Sequence, residues 1–160
     1  NTNNRTRRNN IVKKYCSVIG TLMLAASLGV TASEMGTPDE AKAMSEKAAS
    51  LVNDQGDAAF VVFAAKDGGF LEKDLYVFCM DLEGSMLSHA VKPALVGKNL
   101  KEFNKYGDFL FQDMIKVASD SGEGWVDYNW PYPGSEEVKK KTSYIIKNDK
   151  GFFCGVGAYK

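Results

Sequence analysis

The feature that most restricts the fold is a change of period near residue 70. Before it, apolar residues recur every three or four positions behind a helix cap; after it, they come in short runs cut by glycine, asparagine and aspartate. Thr37, Pro38, Asp39 and Glu40 form the start signal, with a capping threonine, a proline where its missing N–H costs nothing, and a glutamate placed to close a capping box. Ala41, Met44, Ala48, Leu51 and Val52 then give one apolar stripe through Asn53, and Gly56 breaks it. Asp57 reads as the cap of a shorter helix through Ala65, although residues 59–63 would suit a strand on local propensity, and Lys66-Asp67-Gly68-Gly69 ends it either way.

The remainder reads as β with one helical crossover. Residues 75–80 form a strand, 81–84 a tight turn and 85–89 the returning strand of a hairpin. Pro93, Gly97 and Asn99 punctuate an extended segment, and residues 108–119 carry Phe109, Phe111, Ile115 and Ala118 at helical spacing. Strands follow at 125–130, 142–147 and 152–159, separated by a break at 131–134 and a turn at 148–151. The expected fold is therefore α+β, with a long N-terminal helix packed on a roughly five-stranded antiparallel sheet. The crossover helix and the irregular segment at 90–99 must cover the second face, and loop cover leaves room for a pocket.

Residues 1–17 hold Arg5, Arg7, Arg8, Lys13 and Lys14 without an acidic residue, and residues 18–32 are small and apolar, closing on Val30-Thr31-Ala32. This is the pattern of a signal peptide spanning 1–32, with Ser33 opening a single domain at 33–160 and a periplasmic or secreted destination. Fifteen residues are few for a bilayer span, which takes about twenty; an uncleaved anchor is the competing reading. Removing 1–32 takes five basic residues from a balance of 20 and 20, leaving 15 against 20 and a formal charge of −5. That excludes nucleic acid as partner, since its recognition favours a basic stripe. The lysine cluster Lys139-Lys140-Lys141 reads as a surface turn. Export permits Cys79 and Cys154 to pair as a disulfide, the alternative being two buried free thiols. Two distant cysteines and one histidine are too few for a metal site.

The run Asp74-Leu75-Tyr76-Val77-Phe78-Cys79-Met80-Asp81, followed by Gly84, His89, Pro93 and Gly97-Lys98-Asn99-Leu100, carries a resemblance. It continues through Gly124-Trp125-Val126-Asp127-Tyr128-Asn129-Trp130-Pro131, Lys141, Tyr144 and Gly155-Val156-Gly157-Ala158-Tyr159. The order and spacing resemble the single Cache domains of bacterial sensory proteins over about residues 38–160. The resemblance implies a PAS-like fold outside the cytoplasmic membrane, a short carboxylate or amino acid as ligand, and a role in signal transduction or chemotaxis through a membrane receptor or kinase. This sequence departs from the family in having His89-Ala90 where a His-Pro pair is common. It also ends after the last strand, without the second membrane helix of a receptor, and so is expected to be a free-standing exported form.

Tyr76, Phe78, His89, Tyr128, Trp130, Lys141 and Tyr144 combine flat apolar surface with a few polar tips, the composition of a small-ligand pocket. Lys141, or a protonated His89, would supply charge to a carboxylate, and the tyrosine hydroxyls would place it. Each also has a structural reading: Tyr76 and Phe78 as sheet core, His89 as a hydrogen-bonding strand end, Lys141 as surface. Trp125 reads as core more readily than Trp130, which stands beside Pro131. Alternation places Lys141 out of phase with Tyr144, so the lysine joins the site only through a late strand start or a bulge. Catalysis is not expected, because one histidine without an acidic partner or activated nucleophile makes no acid–base pair, and no cofactor is implied. The other reading is a structural or interaction module with a filled core. In either case an exposed apolar helix edge could pair two copies as a homodimer.

Overall fold

The computed structural model describes residues 35–160, so the expectations for the export segment at 1–32 lie outside the described residues. Helix α1 spans Pro38–Gln55. Its capping box forms as the sequence implies: Thr37 Oγ accepts from the Glu40 amide at 3.2 Å, and Glu40 Oε2 accepts from the Thr37 amide at 2.8 Å. Ala41, Met44, Ser45, Ala48, Ala49 and Val52 are its buried side. Gly56, at φ 60°, ends it in the left-handed region where glycine carries no Cβ penalty. Asp57 caps nothing. A 3₁₀ turn over Gly56–Ala58 leads straight into α2 (Ala59–Ala64), which settles residues 59–63 as helix.

Strands β1 (Leu71–Glu72), β2 (Leu75–Met80) and β3 (Met86–His89) precede the crossover helix α3 (Leu110–Asp120). Strands β4 (Glu123–Pro131), β5 (Val138–Lys147) and β6 (Phe153–Tyr159) complete one antiparallel sheet. The order is β1-β2-β6-β5-β4, with β3 also paired to β2, so the five expected strands are joined by a two-residue sixth. Cys79 and Cys154 are register partners on neighbouring strands, fully buried, and joined as a disulfide.

The sheet separates two cores. Against α1 and α2 lie Leu75, Val77, Cys79, Cys154, Val156 and Ala158, with Phe63, Phe70 and Phe152. The other face carries Phe78, Met80, Val126, Tyr128, Trp130, Ile145, Phe153 and Tyr159 beneath α3. Phe111 and Ala118 of the expected stripe are buried, while Leu110 and Met114 take the places expected of Phe109 and Ile115. Leu110, Phe111, Met114 and Ala118 are buried, whereas Phe109 is 45% exposed, because it precedes the first helical residue. Two further expectations are corrected. Trp130 is the core tryptophan and Trp125 is 41% exposed. The lysine cluster is not a surface turn, since β5 begins at Val138 and all three lysines lie within it.

Candidate functional site

Strand alternation and cross-strand register assemble the site. Tyr76 and Phe78 are two apart on β2 and share a face, and His89 on β3 stands directly opposite Phe78. On the far side, Tyr128 of β4 pairs with Lys141 of β5, which pairs in turn with Tyr159 of β6. These three residues therefore form a row across the sheet, on the face that α3 covers. No bulge is needed. The early start of β5 puts Lys141 in register with Tyr128, and three residues later Tyr144 falls on the opposite face.

Tyr144 is thus removed from the site. It stands opposite Trp125, with ring centroids 5.0 Å apart, and the Lys42 ammonium of α1 lies 4.9 Å from its ring centre.

The other five aromatic candidates line one cavity of about 10 Å³, room for roughly a single water. Tyr76, Phe78, His89, Tyr128 and Trp130 form its sheet side. Met86 of β3 and Leu110, Phe111 and Met114 of α3 close it, and these four escaped the sequence reading. The helical spacing of 110, 111 and 114 was the signal that could have found three of them. Trp130 is held among rings, with His89 stacked at 6.3 Å and the rings of Phe103, Tyr106 and Phe111 at 5.9, 5.7 and 6.0 Å. Phe103 and Tyr106, which supply part of this cover, lie beyond the 90–99 segment to which the pattern assigned it.

Lys141 adjoins this cavity through Tyr76. Its ammonium is 3.9 Å from the Tyr76 ring centre and 4.4 Å from that of Tyr159. The residue is 1% exposed, and Nζ has no hydrogen-bond partner among the described residues. Burial drives its pKa well below the ordinary lysine value; the Asp74 carboxylate opposes that shift and the Lys92 charge adds to it. Asp74 is itself buried, with Oδ1 accepting from the Gly36 amide at 2.7 Å and Oδ2 without a hydrogen-bond partner.

The other polar tips are neutral. His89 Nδ1 accepts from the Lys92 amide at 3.1 Å, so the ring proton of the neutral imidazole sits on Nε2. Burial first, then the charges of Lys141 and Lys92, lower the His89 pKa to about 3. The expectation of a protonated His89 is therefore set aside. The Tyr128 hydroxyl lies 2.7 Å from Ser143 Oγ, and burial raises its pKa as it does that of Tyr76. Tyr159 donates to the Pro131 carbonyl at 2.7 Å. The arrangement offers the buried Lys141 amine, the Lys92 ammonium 5.4 Å from the Trp130 ring centre, a neutral N–H donor and hydroxyls against apolar walls, which suits a small anion with a short apolar tail. Among the described residues no three His, Cys, Asp or Glu side chains are grouped to hold a metal ion.

Comparison with known proteins gives the wider setting. The Cache domain family model matches residues 37–160. Methyl-accepting chemotaxis protein McpP of Pseudomonas putida KT2440 is 33% identical over 90 residues. That match takes in 55% of this chain and only 16% of the relative's length. A periplasmic sensor domain of a chemotaxis protein superposes with a TM-score of 0.58 at 28% identity, covering 76% of this chain and 88% of that one. A Cache chemosensory domain solved for its carboxylic acid recognition gives a TM-score of 0.60 at 26% identity, covering 76% and 86%.

Proposed function

The chain belongs to the Cache domain family, as an extracytoplasmic small-molecule sensory domain, and on that premise we propose that its ligand is a short organic monocarboxylate held by Lys141. The observation that carries the reading is the buried Lys141 Nζ, which has no hydrogen-bond partner among the described residues. An ammonium withdrawn from water is costly unless an anion meets it. Here two aromatic faces give it partial solvation, and a carboxylate would complete it. The His89 Nε2–H and the Tyr76 hydroxyl are the nearby neutral donors. Phe78, Tyr128 and Trp130, with Met86 and Met114, form the walls. Among the described residues no acidic side chain lines the cavity itself, which favours a simple acid; the buried Asp74 carboxylate acts on Lys141 through its charge.

At about 10 Å³ the cavity must widen to admit such an acid. Met86 and Met114 are unbranched and adaptable, and the segment from residue 90 to 109 is the cover that would shift. That displacement is the natural output to a membrane receptor or kinase in a chemotaxis pathway, the setting in which the similar proteins stand. Binding rather than catalysis is proposed because His89 accepts from a backbone amide and, among the described residues, no carboxylate is hydrogen-bonded to it to orient it for proton transfer.

The test begins with mass spectrometry of small molecules released from freshly purified, denatured protein, followed by calorimetric titration of acetate, propionate and pyruvate. Lys141→Met should lose roughly thirty- to a thousand-fold in affinity, or about 2 to 4 kcal/mol, and Trp130→Ala should weaken binding by removing a wall. Unchanged affinity in Lys141→Met removes the lysine from the site; unchanged affinity in both moves the pocket elsewhere. The small cavity also supports a second reading, a filled core serving as an interaction module. An empty mass spectrum together with no heat from any of the three acids would select it.

A further inference from the structure

Lys141 belongs to β5, yet its ammonium lies over the ring of Tyr76 on β2, and β6 stands between those strands. The side chain must therefore cross β6, and it does so over Gly157. A Cβ built on Gly157 would fall 2.5 Å from Lys141 Cε, 2.2 Å from Ser143 Oγ and 3.0 Å from the Thr142 carbonyl oxygen. Carbon atoms at optimal contact stand about 3.5 to 4.0 Å apart, so the lysine stem and an added methyl group cannot share this space. Backbone conformation does not require the glycine, because its φ lies outside the left-handed region.

The same gap serves a second polar group. Ser143 is the register partner of Gly157, and its Oγ meets the Tyr128 hydroxyl at 2.7 Å. A side chain at 157 would press on the lysine and the serine together. We propose that Gly157 is the positioning residue of the anion site: its bare Cα is the track along which Lys141 crosses the sheet, and any side chain there turns the ammonium away. The inference deepens the carboxylate reading and rests on it for its functional meaning.

A measurement independent of ligand tests the geometry. Protons on Lys141 Cε, held near two aromatic rings, should resonate upfield of the other lysines in a carbon–proton correlation spectrum, assigned by their loss in Lys141→Met. In Gly157→Ala that signal should move to the position of exposed lysines while the amide signals of α1 and α3 stay in place. Propionate affinity should fall at least tenfold. A Lys141 signal that stays upfield in Gly157→Ala overturns the proposal. If Gly157→Ala does not fold, the triple variant Gly157→Ala/Lys141→Ala/Ser143→Ala decides: with both the lysine stem and the Ser143 hydroxyl gone the added methyl has room, so the triple variant should fold. Failure of both to fold, with Lys141→Ala/Ser143→Ala folded, overturns the proposal. Should the wild type take up none of acetate, propionate and pyruvate while the Lys141 signal moves as expected, the carboxylate reading falls and the positioning of Lys141 by Gly157 stands.

Discussion

A lysine that is 1% exposed with no hydrogen bond among the described residues is an expensive residue to keep for structure alone, and its protonation should be visible in solution. Burial sets its folded-state pKa well below the unfolded value of about 10.4. Below the folded pKa both states hold the proton, and the folded chain bears the full penalty. Between the two values only the unfolded chain holds it, so stability rises with pH, and above about 10.4 the penalty is gone. The stability difference between wild type and Lys141→Met in denaturant titrations should therefore shift in favour of the wild type as pH rises toward that value. A difference independent of pH would mean that the lysine stays charged throughout. A bound carboxylate favours the ammonium, so binding should draw in a proton and weaken as pH rises past the depressed pKa. His89, lowered to about 3, should add no step to ligand binding near the ordinary histidine pKa, but stability should fall as pH drops below about 6.5, where only the unfolded chain takes up that proton.

At the scale of elements, α1 is tied to the sheet through one buried hydroxyl. Ser45 Oγ accepts from the Val156 amide at 3.0 Å and donates to the Tyr144 carbonyl at 2.9 Å. Those two residues are register partners on β6 and β5, so the helix side chain bridges the ladder directly behind the site. Ser45→Ala would take away the partner of two buried backbone groups and should destabilise the domain by about 1 to 3 kcal/mol. A loss below about 0.5 kcal/mol by chemical denaturation would show that β5 and β6 close the gap between themselves. Nothing in the sequence distinguished this serine from a polar residue at the edge of the stripe, because its partners are 99 and 111 residues away. The helix itself was legible, since the capping box and apolar spacing are local signals. The phase of β5 was not. Local propensity started the strand at Thr142, whereas pairing with β4 carries it back to Val138, and that longer ladder decides which face Lys141 and Tyr144 occupy. The tryptophans were misjudged for a similar reason: the segment at 101–109 that buries Trp130 has no regular pattern to read, and Trp125 pairs with Tyr144 on the other face.

Among the described residues one covalent link fastens the fold, and that link carries a condition on where the chain folds. Cys79 and Cys154 join β2 to β6 across a separation of 75 residues, both fully buried in the core that faces α1. By the chain-entropy estimate, closing such a loop stabilises the folded state by about 4 kcal/mol, a large share of the 5 to 15 kcal/mol of an ordinary domain. The bond forms in an oxidising compartment and is rare in a cytosol held reducing. Location and stability are therefore coupled. Residues 1–32, read as an export signal, would supply the route. Expressed with its native N-terminus in a Gram-negative host, the protein should appear in the periplasmic fraction with Ser33, or a residue within about two positions of it, at its N-terminus. Non-reducing peptide mapping of that material should give one Cys79–Cys154 cross-link. Protein expressed from Ser33 in a reducing cytosol should carry two alkylatable thiols and unfold at a lower denaturant concentration, by about 2 to 5 kcal/mol. Re-oxidation should restore the difference. An intact chain recovered from alkaline-washed membranes would replace cleavage with an anchor, and free thiols in periplasmic material would remove the disulfide from the account of stability.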